Sequence, residues 1–160
     1  MQLRLEQVYR DHRQGLFTLA LAITRSADLA EDAVQEAFAR LWRSVQEPRG
    51  DAVAYVFASV RNAALEFARR RRRSVEVPAS LFDGRRSDPA GPAIDAEREQ
   101  LVREAVDGLP IRQRQTVVLR LYAGLTFQQI ADALREPLPT VASRYRRALE
   151  RIKDSLEKLL

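Results

Sequence analysis

Apolar positions recur at helical spacing through most of the chain. Between residues 3 and 24 they fall at Leu5, Tyr9, Leu16, Leu19 and Ile23, which predicts one helix with a single buried stripe. Ser26 offers an N-cap for a second helix, whose apolar face is Val34, Phe38, Leu41, Trp42 and Val45. Pro48-Arg49-Gly50 breaks that helix, and Asp51 can cap a third with the stripe Val56, Val60, Ala64 and Phe67. Three amphipathic helices of this length can cover one another's stripes, so residues 1–73 are expected to form a first domain.

The pattern lapses after the run Arg69–Arg73. Residues 74–93 mix Pro, Ser, Gly and Asp around a lone apolar pair, Leu81-Phe82, and cannot bury enough surface to offset their ordering entropy; a flexible linker is expected. Helical spacing resumes near Ile94 and runs to Asp107, with Gly108 as the expected C-terminal cap and Pro110 near the next helix start. Val117, Val118, Leu121 and Tyr122 are the expected core of that next helix, which Gly124 ends. Thr126 and Gln129 have the spacing of a capping box, with Leu125 and Ile130 as its hydrophobic staple. A short helix to Leu134, a tight turn over residues 135–139 and a long helix from about Thr140 complete a second domain, residues 94–160. The expected fold class is therefore all-α, two small helical domains joined by a linker.

Composition sharpens this picture in two places. No cysteine occurs, which excludes disulfides and thiolate metal sites. The N-terminus lacks the apolar run of a signal peptide and no stretch approaches a membrane span, so the expected location is the cytoplasm, without membrane insertion. The net charge of +5 suits a polyanionic partner, and its distribution says more than its sum. On the last helix Val141, Tyr145, Ala148, Ile152 and Leu156 form the buried stripe, while Arg144, Arg147 and Arg151 line another face beside Ser143 and Arg146. Behind a capped helix and a tight turn, that face reads as the recognition helix of a helix-turn-helix, able to pair with phosphates and guanine edges. The alternative is a helical hairpin with a solvated basic face.

The second helix is of opposite sign, with Asp28, Glu31, Asp32 and Glu36. Carboxylate metal sites in helical bundles use Glu-x-x-His pairs, and His12, the single histidine, has no Glu at that spacing; a partly buried structural role suits it better. No metal or other cofactor is expected. An acidic face that docks on a basic protein partner is the better reading. Arg61, Asn62 and the Arg69–Arg73 run could clamp a nucleic-acid backbone, with Tyr55, Phe57 and Trp42 as candidates for stacking on unpaired bases.

Residues 28–38 (DLAEDAVQEAF) with Leu41-Trp42 resemble region 2.2 of the extracytoplasmic-function sigma factors of bacterial RNA polymerase. Gly50-Asp51, Tyr55 and Arg61-Asn62-Ala63-Ala64 resemble regions 2.3 and 2.4. Gly108-Leu109-Pro110, Arg112-Gln113-Arg114, Leu119-Arg120-Leu121-Tyr122 and Gly124-Leu125-Thr126 resemble region 4.1. Residues 130–134 (IADAL), Thr140-Val141, Ser143-Arg144 and Arg147-Ala148-Leu149 resemble region 4.2. The ordered set spans nearly the whole chain outside residues 74–93.

The resemblance implies that Asp32, Gln35 and Glu36 dock on the clamp helices of the polymerase β′ subunit, with the β flap a further contact. It implies that the loop Gln46, Glu47, Pro48, Arg49 and Gly50 captures a flipped base of the promoter −10 element, and that Arg61 and Asn62 hold the opened strand. Thr140, Ser143, Arg144, Arg146 and Arg147 would face the −35 element. An anti-sigma factor is implied as regulator. The turn departs from the family pattern: Arg135 and Pro139 stand where Gly is usual, and Ala142 where Lys or Arg is usual, so the −35 contact is expected to be weaker or differently specified. Two rivals follow: a sigma-like adaptor that titrates a regulator, and a stand-alone helix-turn-helix regulator, which would not need the acidic face. An enzyme is not expected, since no nucleophile–base pair, metal cluster or phosphate loop occurs.

Overall fold

A computed structural model describes residues 2–44, 47–48, 50–74 and 93–159. Seven α-helices are present and no strand occurs among the described residues: α1 Gln2–Thr24, α2 Ala27–Arg43, α3 Ala52–Ser74, α4 Ala93–Asp107, α5 Ile111–Val117, α6 Phe127–Leu134 and α7 Leu138–Leu159. Most of the span expected as linker, and with it Leu81-Phe82, lies outside the described residues, as does Val45.

Local chemistry sets the boundaries. Ser26 Oγ accepts from the Leu29 N–H at 3.3 Å, and Asp51 Oδ1 accepts from the Ala54 N–H at 2.9 Å, so α2 and α3 begin on side-chain caps. At α6 the capping box is complete: Thr126 Oγ1 accepts from the Gln129 N–H and Gln129 Oε1 from the Thr126 N–H, both at 3.0 Å. Leu125 and Ile130 are fully buried beside it, as the staple requires. Thr126→Ala removes one half of this cap, and the expected outcome is a loss of about 1 kcal/mol in urea unfolding.

α1, α2 and α3 pack pairwise into a three-helix bundle around Leu16, Leu19, Ala33, Val56, Phe57 and Val60. His12 is half-buried there, edge-on to Phe57 with ring centroids 5.7 Å apart. In the second half, α4, α5 and α6 pack against α7, whose Val141, Ala148 and Ile152 are buried and whose Tyr145 and Leu156 are partly buried.

Several expectations need correcting. Tyr9 and Trp42 were assigned to buried stripes and are 41% and 39% exposed. Leu121 and Tyr122 were assigned to the core and face solvent, Leu121 at 54%. The cause is a π-helical turn, Val118–Tyr122, in which the Ala123 N–H reaches back to the Val118 carbonyl at 3.0 Å. The extra residue in the turn shifts the phase, so Val117, Val118 and Leu119 are all buried while Leu121 and Tyr122 swing outward. Gly124, at φ +72°, then closes the turn in a conformation that a side chain would strain. Gly108 does not adopt a left-handed cap: it follows α4 in an ordinary turn, its N–H bonded to the Glu104 carbonyl at 3.1 Å. The last helix starts at Leu138, two residues before Thr140, with Pro139 in a first turn that does not need its N–H.

The two bundles are docked on one another, and their buried residues form one continuous core. α1 meets α5 and the π-helical turn, and α3 meets α6. Gly15 explains how closely they approach: a Cβ there would lie 2.8 Å from the Ala123 Cβ and 2.9 Å from its Cα. A glycine inside α1 costs about 1 kcal/mol of helix stability relative to alanine, and this contact is what it permits.

Candidate polymerase- and promoter-binding surfaces

Asp28, Glu31 and Asp32 stand exposed on α2 beside exposed Gln35. Glu36 is half-buried and accepts from Arg40 Nε at 3.0 Å, while Arg40 Nη2 reaches Glu66 of α3 at 3.2 Å. These two carboxylates raise the Arg40 pKa above its ordinary value. Next to the acidic face, Tyr9, Val34, Gln35, Phe38, Ala39 and Trp42 line a shallow groove of about 410 Å³. Tyr9 meets Phe38 edge-on at 5.2 Å, and the Phe38 and Trp42 rings are 6.1 Å apart. This aromatic shoulder was not foreseen. Its signal is Trp42, which continues the α2 stripe of buried Val34 and Phe38 into an exposed position.

Of the loop assigned to a flipped base, Gln46 and Arg49 lie outside the described residues, Glu47 and Gly50 are exposed and Pro48 is half-buried. Glu47, Gly50 and Asp51 share an open cleft of about 1120 Å³ with Asp132, Arg135, Glu136 and Pro137. The candidate −10 loop and the helix-turn-helix turn therefore face each other across a space with four carboxylates and one guanidinium. Asp51 also spans it, accepting from Gln129 Nε2 at 3.3 Å. Of the three stacking candidates, Phe57 is fully buried, Tyr55 half-buried, and Trp42 exposed on α2.

Arg61 and Asn62 are adjacent on α3 and differ in fate. Asn62 is exposed, whereas Arg61 is half-buried and donates from Nε to Gln115 Oε1 of α5 at 2.8 Å. Burial lowers the Arg61 pKa, Glu136 partly offsets that, and Arg112 and Arg144 add to it. Among the α7 residues, Thr140, Arg146 and Arg147 are exposed and Ser143 is half-buried. Arg144 is turned inward: its Nη1 donates to Glu136 Oε1 at 2.9 Å and its Nη2 to Glu136 Oε2, and the two side chains are only 13% and 18% exposed. The face expected from Arg144, Arg147 and Arg151 is thus presented by Arg147 and Arg151, with Arg146 beside them. The Arg144 hydrogen bonds lower the Glu136 pKa, with Arg112 and Arg61 acting in the same direction. Arg135 holds the turn in the left-handed region at φ +56°, a cost of about 1 kcal/mol for a residue with a Cβ.

The seam is anchored by two further arginines that the sequence reading did not single out in this role. Arg25, at φ +56°, donates to Asp107 Oδ1 at 3.0 Å and to the Asp107 carbonyl at 2.8 Å. Arg114 is buried and donates to the Ala22 carbonyl at 2.7 Å and the Leu109 carbonyl at 3.2 Å. Its pKa is pushed down to about 10, chiefly by burial, which leaves it charged at neutral pH.

The family model of sigma-70 region 2 matches residues 8–74, and that of sigma-70 region 4 matches residues 99–152. The ECF RNA polymerase sigma factor SigK of Mycobacterium tuberculosis (strain ATCC 25618 / H37Rv) is 26% identical over 98% of this chain and 87% of its own length. SigE of Mycolicibacterium smegmatis, also an ECF RNA polymerase sigma factor, is 31% identical over 96% of this chain and 62% of its own length. Among solved structures, the sigma factor RpoE in complex with the anti-sigma factor NepR from Bartonella quintana superposes with a TM-score of 0.75. That match has 21% identity and covers 98% of this chain and 96% of the other. CnrH, in complex with the cytosolic domain of CnrY, gives 0.69 at 19% identity over 99% and 90%. These two likenesses speak to the fold, which they share across both bundles. With both sigma-70 regions matched in order, and relatives of the extracytoplasmic-function type matching nearly the whole chain, the chain belongs to the extracytoplasmic-function sigma factors.

Proposed function

We propose that this sigma factor works through three separate surfaces: α2 docks on core RNA polymerase, the loop before α3 with Arg61 and Asn62 engages the opened −10 strand, and α7 engages the −35 duplex. The observation that carries the reading is the presence in one chain of an acidic, aromatic-edged α2 face and a cationic helix behind a capped turn. On α2, Asp32, Gln35 and Glu36 would meet the β′ clamp helices, and the β flap would contact the second bundle. Aromatic side chains beside charged ones are the usual anchors of such interfaces. On α7, Arg146 and Arg147 supply exposed cations for phosphate, while Thr140, Ser143 and Arg144 border the turn. Residues 1–73 and 94–160 are proposed as the two functional units. The polymerase performs the chemistry, and this chain supplies address and strand opening in the cytoplasm. No helix among the described residues is long and apolar enough to cross a membrane.

A regulator of the anti-sigma type is proposed as a further partner. The docked arrangement favours control over constitutive activity, because Arg61 is already bonded to Gln115. Arg144→Ala is expected to weaken binding to the promoter duplex by about 1–3 kcal/mol in fluorescence anisotropy. Unchanged affinity would move the reading face to Arg146 and Arg147.

Run-off transcription with purified core polymerase, on DNA from upstream of this protein's own gene, tests the whole reading. A transcript that depends on the added chain and starts at one position supports a working sigma subunit. Tight polymerase binding with no transcript favours the adaptor. Neither signal leaves a stand-alone DNA binder.

A further inference from the structure

Arg61 and Arg144 lie on different bundles, and both are proposed to hold DNA. In this structure both are spent on the protein itself, Arg144 on the Glu136 carboxylate and Arg61 on the Gln115 side chain. Glu136, in the turn before α7, takes two parallel N–H bonds from the Arg144 guanidinium, the arrangement a phosphate would take. Arg61 approaches the same region from α3, fixed by its bond to Gln115, and Arg112 approaches from α5. We propose that Glu136 is an intramolecular stand-in for a DNA phosphate, holding Arg144 inward until promoter DNA displaces it. This rests on the assignment of Arg144 to DNA.

Three physical points support it. The Glu136–Arg144 pair is largely buried, so it is screened little by solvent and holds Arg144 away from any external anion. The guanidinium groups of Arg144, Arg112 and Arg61 all favour the charged form of Glu136, so its carboxylate occupies a cationic corner that suits a phosphate in its place. The cleft beside Glu136 also carries Glu47, Asp51 and Asp132, which repel phosphate while the two bundles stay docked. An ordinary pair that only braces the turn would make a different prediction: neutralising it would cost stability and leave or reduce DNA affinity.

Glu136→Gln keeps the shape and removes the charge; Glu136→Leu fills the site without polarity. Each would be titrated by anisotropy against a labelled duplex DNA of random sequence over a range of salt, with helicity followed by circular dichroism. The expected result is about ten-fold tighter binding than wild type, with a log–log salt slope steeper by about one for the release of Arg144. Unchanged or weaker binding with intact helicity overturns the proposal. Loss of helicity in both variants also overturns it, because it assigns Glu136 to folding. Core-polymerase capture by the wild type, run on the same preparation, keeps two failures apart. Capture without a DNA gain in the variants sinks the Glu136 role alone. Absence of capture sinks the sigma-subunit reading, while a DNA gain would still support the carboxylate's role.

Discussion

Reversing charge at Asp32 and Glu36 together, as Asp32→Lys with Glu36→Lys, is expected to abolish capture of core RNA polymerase while leaving the helical content intact. Asp32 is exposed on α2, so its replacement disturbs no packing. Among the described residues Glu36 pairs with Arg40, four residues on, and Arg40 keeps its second partner Glu66. A lysine at position 36 beside Arg40 costs the helix only a few tenths of a kcal/mol, as exposed like-charge pairs do. Binding suffers far more. Two acidic groups facing a basic partner become two repelling cations, and like-charge juxtaposition across an interface costs several kcal/mol. A loss of at least about 100-fold in affinity follows from about 2.7 kcal/mol at 1.4 kcal/mol per decade. Co-purification with polymerase, paired with a thermal melt by circular dichroism, checks both halves of the expectation. Retained capture with a native melt would transfer the docking role to the aromatic groove of Tyr9, Phe38 and Trp42, which the double variant leaves untouched.

The helices themselves were legible because their causes are local. Ser26, Asp51, Thr126 and Gln129 act on backbone groups within three residues, and apolar spacing reveals each stripe without reference to the rest of the chain. The errors arise where a local rule meets a tertiary one. Leu121 and Tyr122 fit a core stripe only if the helix keeps 3.6 residues per turn, and the π-helical turn breaks that count. Trp42 continues an apolar face that no neighbouring helix reaches far enough to cover.

Site residues were legible as types and not as states. Helical spacing places Arg144 on the face of Arg147 and Arg151, yet Glu136, eight residues earlier, draws it inward. Arg61 looked like a free cation on α3, and Gln115, 54 residues away, holds it. The seam was the least legible feature. It depends on Gly15 against Ala123, Arg25 against Asp107 and Arg114 against Ala22, pairs separated by most of the chain. No pattern within one element records such a pairing, and each half carries a complete amphipathic signature without it.

Arg114→Met is expected to uncouple the two bundles and to lower stability by about 3 kcal/mol. The Ala22 carbonyl lies in the last turn of α1, where the next N–H in line, that of Ser26, is directed to Thr24 Oγ1 instead. Arg114 fills that vacancy across the seam and also serves the Leu109 carbonyl in its own bundle. Hydrogen bonds from a charged donor contribute about 1.5–3 kcal/mol each, so two carbonyl partners set a range of about 3–6. Removing the guanidinium relieves the desolvation that depresses its pKa, which offsets part of that sum and favours the lower end. Methionine is close enough in bulk to avoid a large cavity, so the loss reports hydrogen bonding more than packing. The single tryptophan, Trp42, sits in the first bundle and reports that bundle alone, whereas circular dichroism reports both. In the wild type the two urea transitions should coincide, since one core runs through both bundles. In the variant the second bundle should melt first by circular dichroism, with Trp42 fluorescence following at higher urea. Coincident transitions with a loss under about 1 kcal/mol would mean that water already serves the Ala22 carbonyl in solution, and that the seam rests on Gly15, Arg25 and the buried apolar surface instead.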